Sequence, residues 1–176
     1  DASVLTNHTI TFTTPTGVPA DDSTITITFP SGFNLGSVGE DDVDVSGSIT
    51  GELTTAADCT GADEAGVSAS GLVLTIQICS GDGGAISATE TVTVEIGTNA
   101  TASGTGANRI TNPTTGSYEI AIGGSMTDSG AFRLMIIDDV VVTAAVNTTF
   151  TFTIAGLNAG VDVNGDTTTA TTTATT

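Results

Sequence analysis

Thr24-Ile25-Thr26-Ile27-Thr28-Phe29 alternates a β-branched polar residue with a large apolar one, and Pro30-Ser31-Gly32 ends the run. A period of two places the apolar side chains on one face and the threonines on the other, which is the pattern of a half-buried strand. Thr9-Ile10-Thr11-Phe12-Thr13 repeats it before Pro15-Thr16-Gly17, and Thr91-Val92-Thr93-Val94-Glu95-Ile96 repeats it before Gly97. Leu72 to Cys79 is more continuously apolar and reads as a deeper strand, closed by Ser80-Gly81-Asp82-Gly83-Gly84. Weaker strand signals run through Val43, Val45 and Ile49, and further strands are predicted over 117–122, 131–137, 140–146 and 149–154. No stretch of ten residues combines helical spacing with capping signals.

Eight or nine short strands separated by Gly, Pro and Asp turns predict an all-β fold, an immunoglobulin-like or jelly-roll β-sandwich. A closed barrel is the alternative. Composition agrees: of 176 residues 37 are Thr and 22 Gly, with six Phe, one Tyr and no Trp. Residues 1–138 are expected to form the sandwich. Residues 139–160 are expected to complete it or be donated to a neighbouring subunit, and 161–176 to be a Thr-rich tail, disordered or glycosylated.

Charge narrows the function classes. Twenty acidic residues against two arginines and no lysine give a formal charge of −18. Binding to nucleic acid, which needs cations to displace phosphate counterions, is excluded as an expectation. So is docking on an anionic bilayer, and no apolar run reaches the roughly 18 residues of a membrane span. The start, Asp1-Ala2-Ser3, reads as a processed mature protein or a fragment. Cys59 and Cys79 have no other thiol and no His nearby, so a disulfide is expected, worth roughly 3 kcal/mol of loop closure. Two buried free thiols are the alternative. A disulfide implies an oxidising compartment, hence an extracellular or cell-surface protein.

Asn7-His8-Thr9-Ile10-Thr11-Phe12-Thr13 recurs 140 residues later as Asn147-Thr148-Thr149-Phe150-Thr151-Phe152-Thr153. Either a second copy of the unit begins near Asp139, or two Thr-rich strands have converged. Nothing after Gly160 can bury a core. The stretch 140–155 is therefore a strand without a domain, able to complete its own sheet, to begin another unit, or to add to a sheet of another copy. Its assembly residues would be Val140, Val142, Phe150 and Phe152. Repeated head to tail, such a contact gives an open filament.

Several turn-and-strand signatures carry a resemblance. They are Asn7-His8-Thr9-Ile10 with Pro15-Thr16-Gly17, then Ile27 to Leu35, then Ile96-Gly97-Thr98-Asn99-Ala100. Gly106 to Pro113, Gly116-Ser117-Tyr118, Asp128-Ser129-Gly130 and Asp138-Asp139-Val140 continue it. In scattered patches over residues 4–155 the chain resembles Thr/Gly-rich β-sandwich repeat domains of secreted or cell-surface proteins predicted from uncultured bacteria. The resemblance implies a structural or adhesive role on a bacterial surface and lends no active site.

Candidate ligand and modification sites are few. Asn7, Asn99 and Asn147 head Asn-x-Thr sequons, whereas Asn112 precedes Pro113 and is excluded. Thr167 to Thr176 offers hydroxyls for O-linked sugars. Asp162, Asn164 and Asp166 alternate oxygen ligands as calcium loops do, without the later Glu of a full loop. The competing reading is an Asn164-Gly165 hairpin turn. Glu40-Asp41-Asp42 with Asp44, and Asp138-Asp139, are further possible calcium ligands or plain solvated loops. His8 reads as a surface-strand residue, and Arg109 and Arg133 as partners of carboxylates inside the fold. No spacing sets a nucleophile beside a base. Glycoside hydrolysis would want aromatic platforms as well as two carboxylates, so no enzyme is expected. Two functions remain: a homopolymeric subunit of a pilus-like filament or surface layer, and an adhesin or carbohydrate-binding module recognising surface glycans.

Overall fold

A computed structural model describes residues 1–102, 104–138 and 151–173. The chain divides into two compact units, Asp1–Val140 and Val141–Thr176. The first contains β1 (Leu5–Thr6), β2 (His8–Thr14), β3 (Thr24–Thr28), β4 (Val43–Gly47), β5 (Gly51–Glu52) and β6 (Thr55–Ala56). It continues with β7 (Ala65–Ser70), β8 (Val73–Ile78), β9 (Glu90–Ile96), β10 (Ile110–Thr111), β11 (Gly116–Gly123) and β12 (Gly130–Ile136). A single 3-10 turn at Glu40–Asp42 is the sole helical element among the described residues. The second unit carries β13 (Asp162–Val163) and β14 (Asp166–Thr167).

The fold is an all-β sandwich. One sheet runs β12-β11-β3-β8-β7-β6, the other β2-β9-β4-β5, and a short β1-β10 ladder lies apart. Because β3 and β8 pair in one sheet while β4 and β9 pair in the other, the chain crosses between sheets twice in the same sense. The central order β3-β8-β7 with β9-β4 is the B-E-D and F-C order of an immunoglobulin sandwich. The outer strands differ: β2 sits beside β9 where such a domain has its last strand, and β11 sits beside β3 where it has its first. Among the described residues the sheets end in open edges, and they do not close into a barrel.

Period-two patterning sets the register. Ile25 opposes Ile76, Ile27 opposes Leu74, and Val94 is flanked by Ile10 and Val45. These residues belong to one core shared by both sheets, with Phe29, Val92 and Ile96. Each fully buried Ile or Leu contributes roughly 1.5–3 kcal/mol, while threonines of the same strands face outward, as on β3. A register slip of one residue would turn every isoleucine to water, which is why the alternation specifies the pairing.

Three strand expectations change. Ala65–Ser70 is a core strand that small residues disguised: a side chain at Gly66 would meet the backbone of Asp58 and Sγ of Cys59, each at 3.2 Å. Glycine leaves room there for Asp58 and the disulfide sulfur of Cys59, which pass close over β7. Ile49, read as part of a third strand, lies in the turn after β4 and is 73% exposed. Residues 151–154, read as a strand, join no ladder, since alternation supplies faces but no partner for the backbone groups.

The tail departs from its expectation too. Asp162 opposes Thr167 and Val163 opposes Asp166 across a two-residue turn. Asn164 at φ 52° and Gly165 at φ 91° hold the left-handed conformation that an Asn-Gly hairpin turn requires. Thr172 N–H donates to the Leu157 carbonyl at 2.8 Å and extends this hairpin towards its base. It buries no core of its own.

Candidate assembly surface

At one side of the sandwich both sheets stop short. Among the described residues β2 pairs only with β9, and β12 only with β11, so each presents an edge that no described strand covers. Between them runs an open cavity of about 350 Å³ lined by Phe12, Ile122, Met126, Ala131 and Phe132, with threonines of β2 along its rim. Phe132 is 38% exposed and Met135, farther along β12, 71%. Strand edges of this length with apolar flanks are the surfaces on which other chains add.

The groove is held from below. Gly124 adopts φ 128°, and a side chain there would strike the Thr24 carbonyl, so the turn after β11 presses onto the start of β3. Ser125 N–H donates to Thr24 Oγ1 at 2.9 Å, Thr24 N–H donates to Ser125 Oγ at 2.8 Å, and Met126 N–H donates to the Thr24 carbonyl. Met126 is thereby fixed in the floor, 7% exposed. One end is shut by Asp128, whose Oδ2 accepts from both the N–H and the hydroxyl of Thr16, each at 2.9 Å.

Of the expected assembly residues, Val140, Val142 and Phe150 lie outside the described residues. Phe152 is described and is 73% exposed, as is Ile154 at 69%.

The disulfide joins Cys59 to Cys79 with their α-carbons 5.3 Å apart. Two sequon asparagines form a mutual clamp instead of projecting freely. Asn7 Nδ2 donates to Thr98 Oγ1 at 2.8 Å, and Asn7 Oδ1 accepts from Thr98 N–H at 3.0 Å. Asn99 Nδ2 donates back to Thr9 Oγ1 at 3.1 Å. Asn147 lies outside the described residues.

The acidic clusters serve the fold. Asp42 accepts from the N–H groups of Ala107, Asn108 and Gly39 and from Asn108 Nδ2, at 2.6–3.1 Å. Burial would raise its pKa, but those donors outweigh it and hold the carboxyl below its usual range. Asp44 Oδ2 accepts from Ala102 N–H at 2.7 Å. Both carboxylates therefore tie the loop after β9 to β4. Asp139 lies outside the described residues. Asp162 accepts from the Thr167 hydroxyl beside the tail hairpin. Among the described residues no three His, Cys, Asp or Glu side chains converge as metal ligands.

His8 is not a surface residue. It shares the inward face of β2 with Ile10 and Phe12, its ring 6.2 Å from that of Phe29 and 6.0 Å from that of Phe33. Its Nε2 lies 3.0 Å from Asn112 Oδ1. Burial lowers the imidazole pKa, with the Asn112 bond opposing. The period of two that sends Thr9 outward places His8 inward, a signal the expectation overlooked. Arg133 pairs with Glu119 at 3.1 Å across β11–β12, but at the surface, not inside the fold. Arg109 makes no ion pair with a described residue.

No helix among the described residues is long and apolar enough to cross a membrane. Comparison with protein-family models, curated proteins and solved structures finds no match to the chain.

Proposed function

We propose that this chain is an extracellular or cell-surface structural protein, of bacterial origin, whose copies assemble by β-strand donation into a pilus-like filament or surface layer. The observation that carries the reading is the pair of open edges, β2 and β12, flanking an apolar groove in a protein that also bears an uncovered alternating segment at Thr151–Ile154. Added strands gain affinity from main-chain hydrogen bonds and register from alternate side chains. The disulfide suits an oxidising compartment.

An adhesin or carbohydrate-binding module has less support. Its mark would be an exposed aromatic platform, whereas the sole Tyr, Tyr118, stacks edge-on against Phe33 and donates its hydroxyl to the Thr114 carbonyl. The reading assigns no enzymatic role, because the sole His is committed to Asn112 and an aromatic nest. Electron microscopy of the purified chain tests the proposal: regular fibres or sheets should form without ligand, and deletion of residues 139–176 should abolish them while the sandwich stays folded. Glycan-dependent binding by a strictly monomeric protein would favour the adhesin instead.

A further inference from the structure

We infer that the groove between β2 and β12 is the acceptor for Thr151 to Gly156 of a second copy, which pairs with the free edge of β2 and seats Phe152 and Ile154 on Phe12, Ile122 and Phe132. This rests on the homopolymer reading above and names its contact.

The choice of β2 over β12 follows from what lies opposite. A strand added beside β2 extends the four-stranded sheet beneath the overhanging β11–β12 pair, so its inward side chains meet Ile122 and Phe132. A strand added beyond β12 would have no sheet facing it. Phe152 and Ile154 lie two residues apart, about 6.6 Å along an extended strand, the spacing by which Ile10 and Phe12 face inward on β2 itself. Thr151 and Thr153 would then continue the outward row of Thr9, Thr11 and Thr13. The recurrence of the β2 pattern in this segment acquires a physical sense: both strands present the same face to the same opposing sheet.

Electrostatics single out this part of a second copy. Copies carrying −18 repel wherever acidic surfaces meet. Residues 140–161 hold no charged side chain at all. The groove is lined by neutral residues except Asp128, whose carboxylate already accepts two hydrogen bonds from Thr16. Of the homotypic contacts open to so acidic a protein, this one joins neutral surface to neutral surface.

A complementation experiment with the full chain tests it. Gly130→Arg fills the groove, because Gly130 lines it opposite Ile122 on the inward face of β12 and a side chain there meets open space, and it leaves the donor intact. Phe152→Asp disables the donor, at an exposed position, and leaves the groove intact. Circular dichroism establishes that both variants keep the native sheet signal. In sedimentation each variant alone should associate at least tenfold more weakly than the native chain, and an equimolar mixture should yield dimers that grow no further, because one functional groove meets one functional donor. If the native chain polymerises and both variants polymerise equally well, the groove is not the acceptor although the homopolymer reading stands. Monomeric variants whose mixture also stays monomeric overturn the pairing as well. If the native chain stays monomeric at every concentration, the homopolymer reading fails and takes this inference with it.

Discussion

The carboxylate of Glu90 fills the space above the α-carbon of Gly47: a β-carbon there would lie 2.8 Å from the Glu90 carboxyl carbon. Glu90 is fully buried at the start of β9. It accepts from the N–H groups of Ile49 and Thr50 at 2.5 Å, from Ser87 N–H at 2.8 Å and from the Thr50 hydroxyl at 2.9 Å. One anion thus organises the turn between β4 and β5 and the entry to β9. Gly47→Ala should destabilise the sandwich by about 2 kcal/mol, since a buried carboxylate must move. Glu90→Gln, which loses charge-assisted bonds, should cost about 2–3 kcal/mol. Urea unfolding at neutral pH measures both, and a change below about 0.5 kcal/mol in either would contradict the account.

The same carboxylate fixes a direction for acid stability. Burial by itself would raise its pKa, but donation from Thr50, Ile49 and Ser87 prevails and lowers it to about 2. A folded-state pKa below the unfolded value means that the unfolded chain binds the proton more readily. The contribution is therefore complete above about pH 4.5 and disappears as pH falls through about 2. Melting temperature should decline over that window in the native protein. Glu90→Gln should flatten part of the decline, which calorimetry between pH 2 and 5 would reveal.

His8 acts at higher pH. Its imidazole pKa is lowered by burial, so the fold favours the neutral ring. Stability should fall as pH drops below the unfolded value of about 6.5, because only the unfolded chain gains the proton freely. NMR titration of this single histidine should give a midpoint below 6.5. A midpoint above it would mean that the Asn112 bond, not desolvation, governs the site.

Reducing the Cys59–Cys79 disulfide should cost roughly 3 kcal/mol in the chain-entropy description of a loop of this size. The comparison is urea unfolding with and without a phosphine reductant. Native mass analysis after alkylation should find no labelled thiol before reduction.

What the sequence discloses is what repeats along it. Ile25 and Ile27, or Val92 and Val94, announce their strands and the face they bury, because a period of two survives in any short window. Ala65–Ser70 leaves no such trace: small residues dominate it, and the close approach of Asp58 and Cys59 to Gly66 is visible only in three dimensions. Asp42 and Glu90 look like any acidic loop until the N–H groups that converge on them are in place. The groove eludes a linear reading for the same reason. Phe12 comes from one sheet, and Ile122 and Phe132 from the other, more than a hundred residues farther along the chain.

The arginine in β12 has a bearing on durability. A trypsin-type protease, which cuts after Arg or Lys, finds only two such residues in the whole chain, Arg109 and Arg133. Arg133 sits within the β11–β12 ladder opposite Glu119, so the adjoining bond reaches a protease only when that ladder opens. Arg109 immediately precedes the fully buried Ile110 of β10. The chain thereby offers this whole class of protease two bonds at most, one of them held within a ladder.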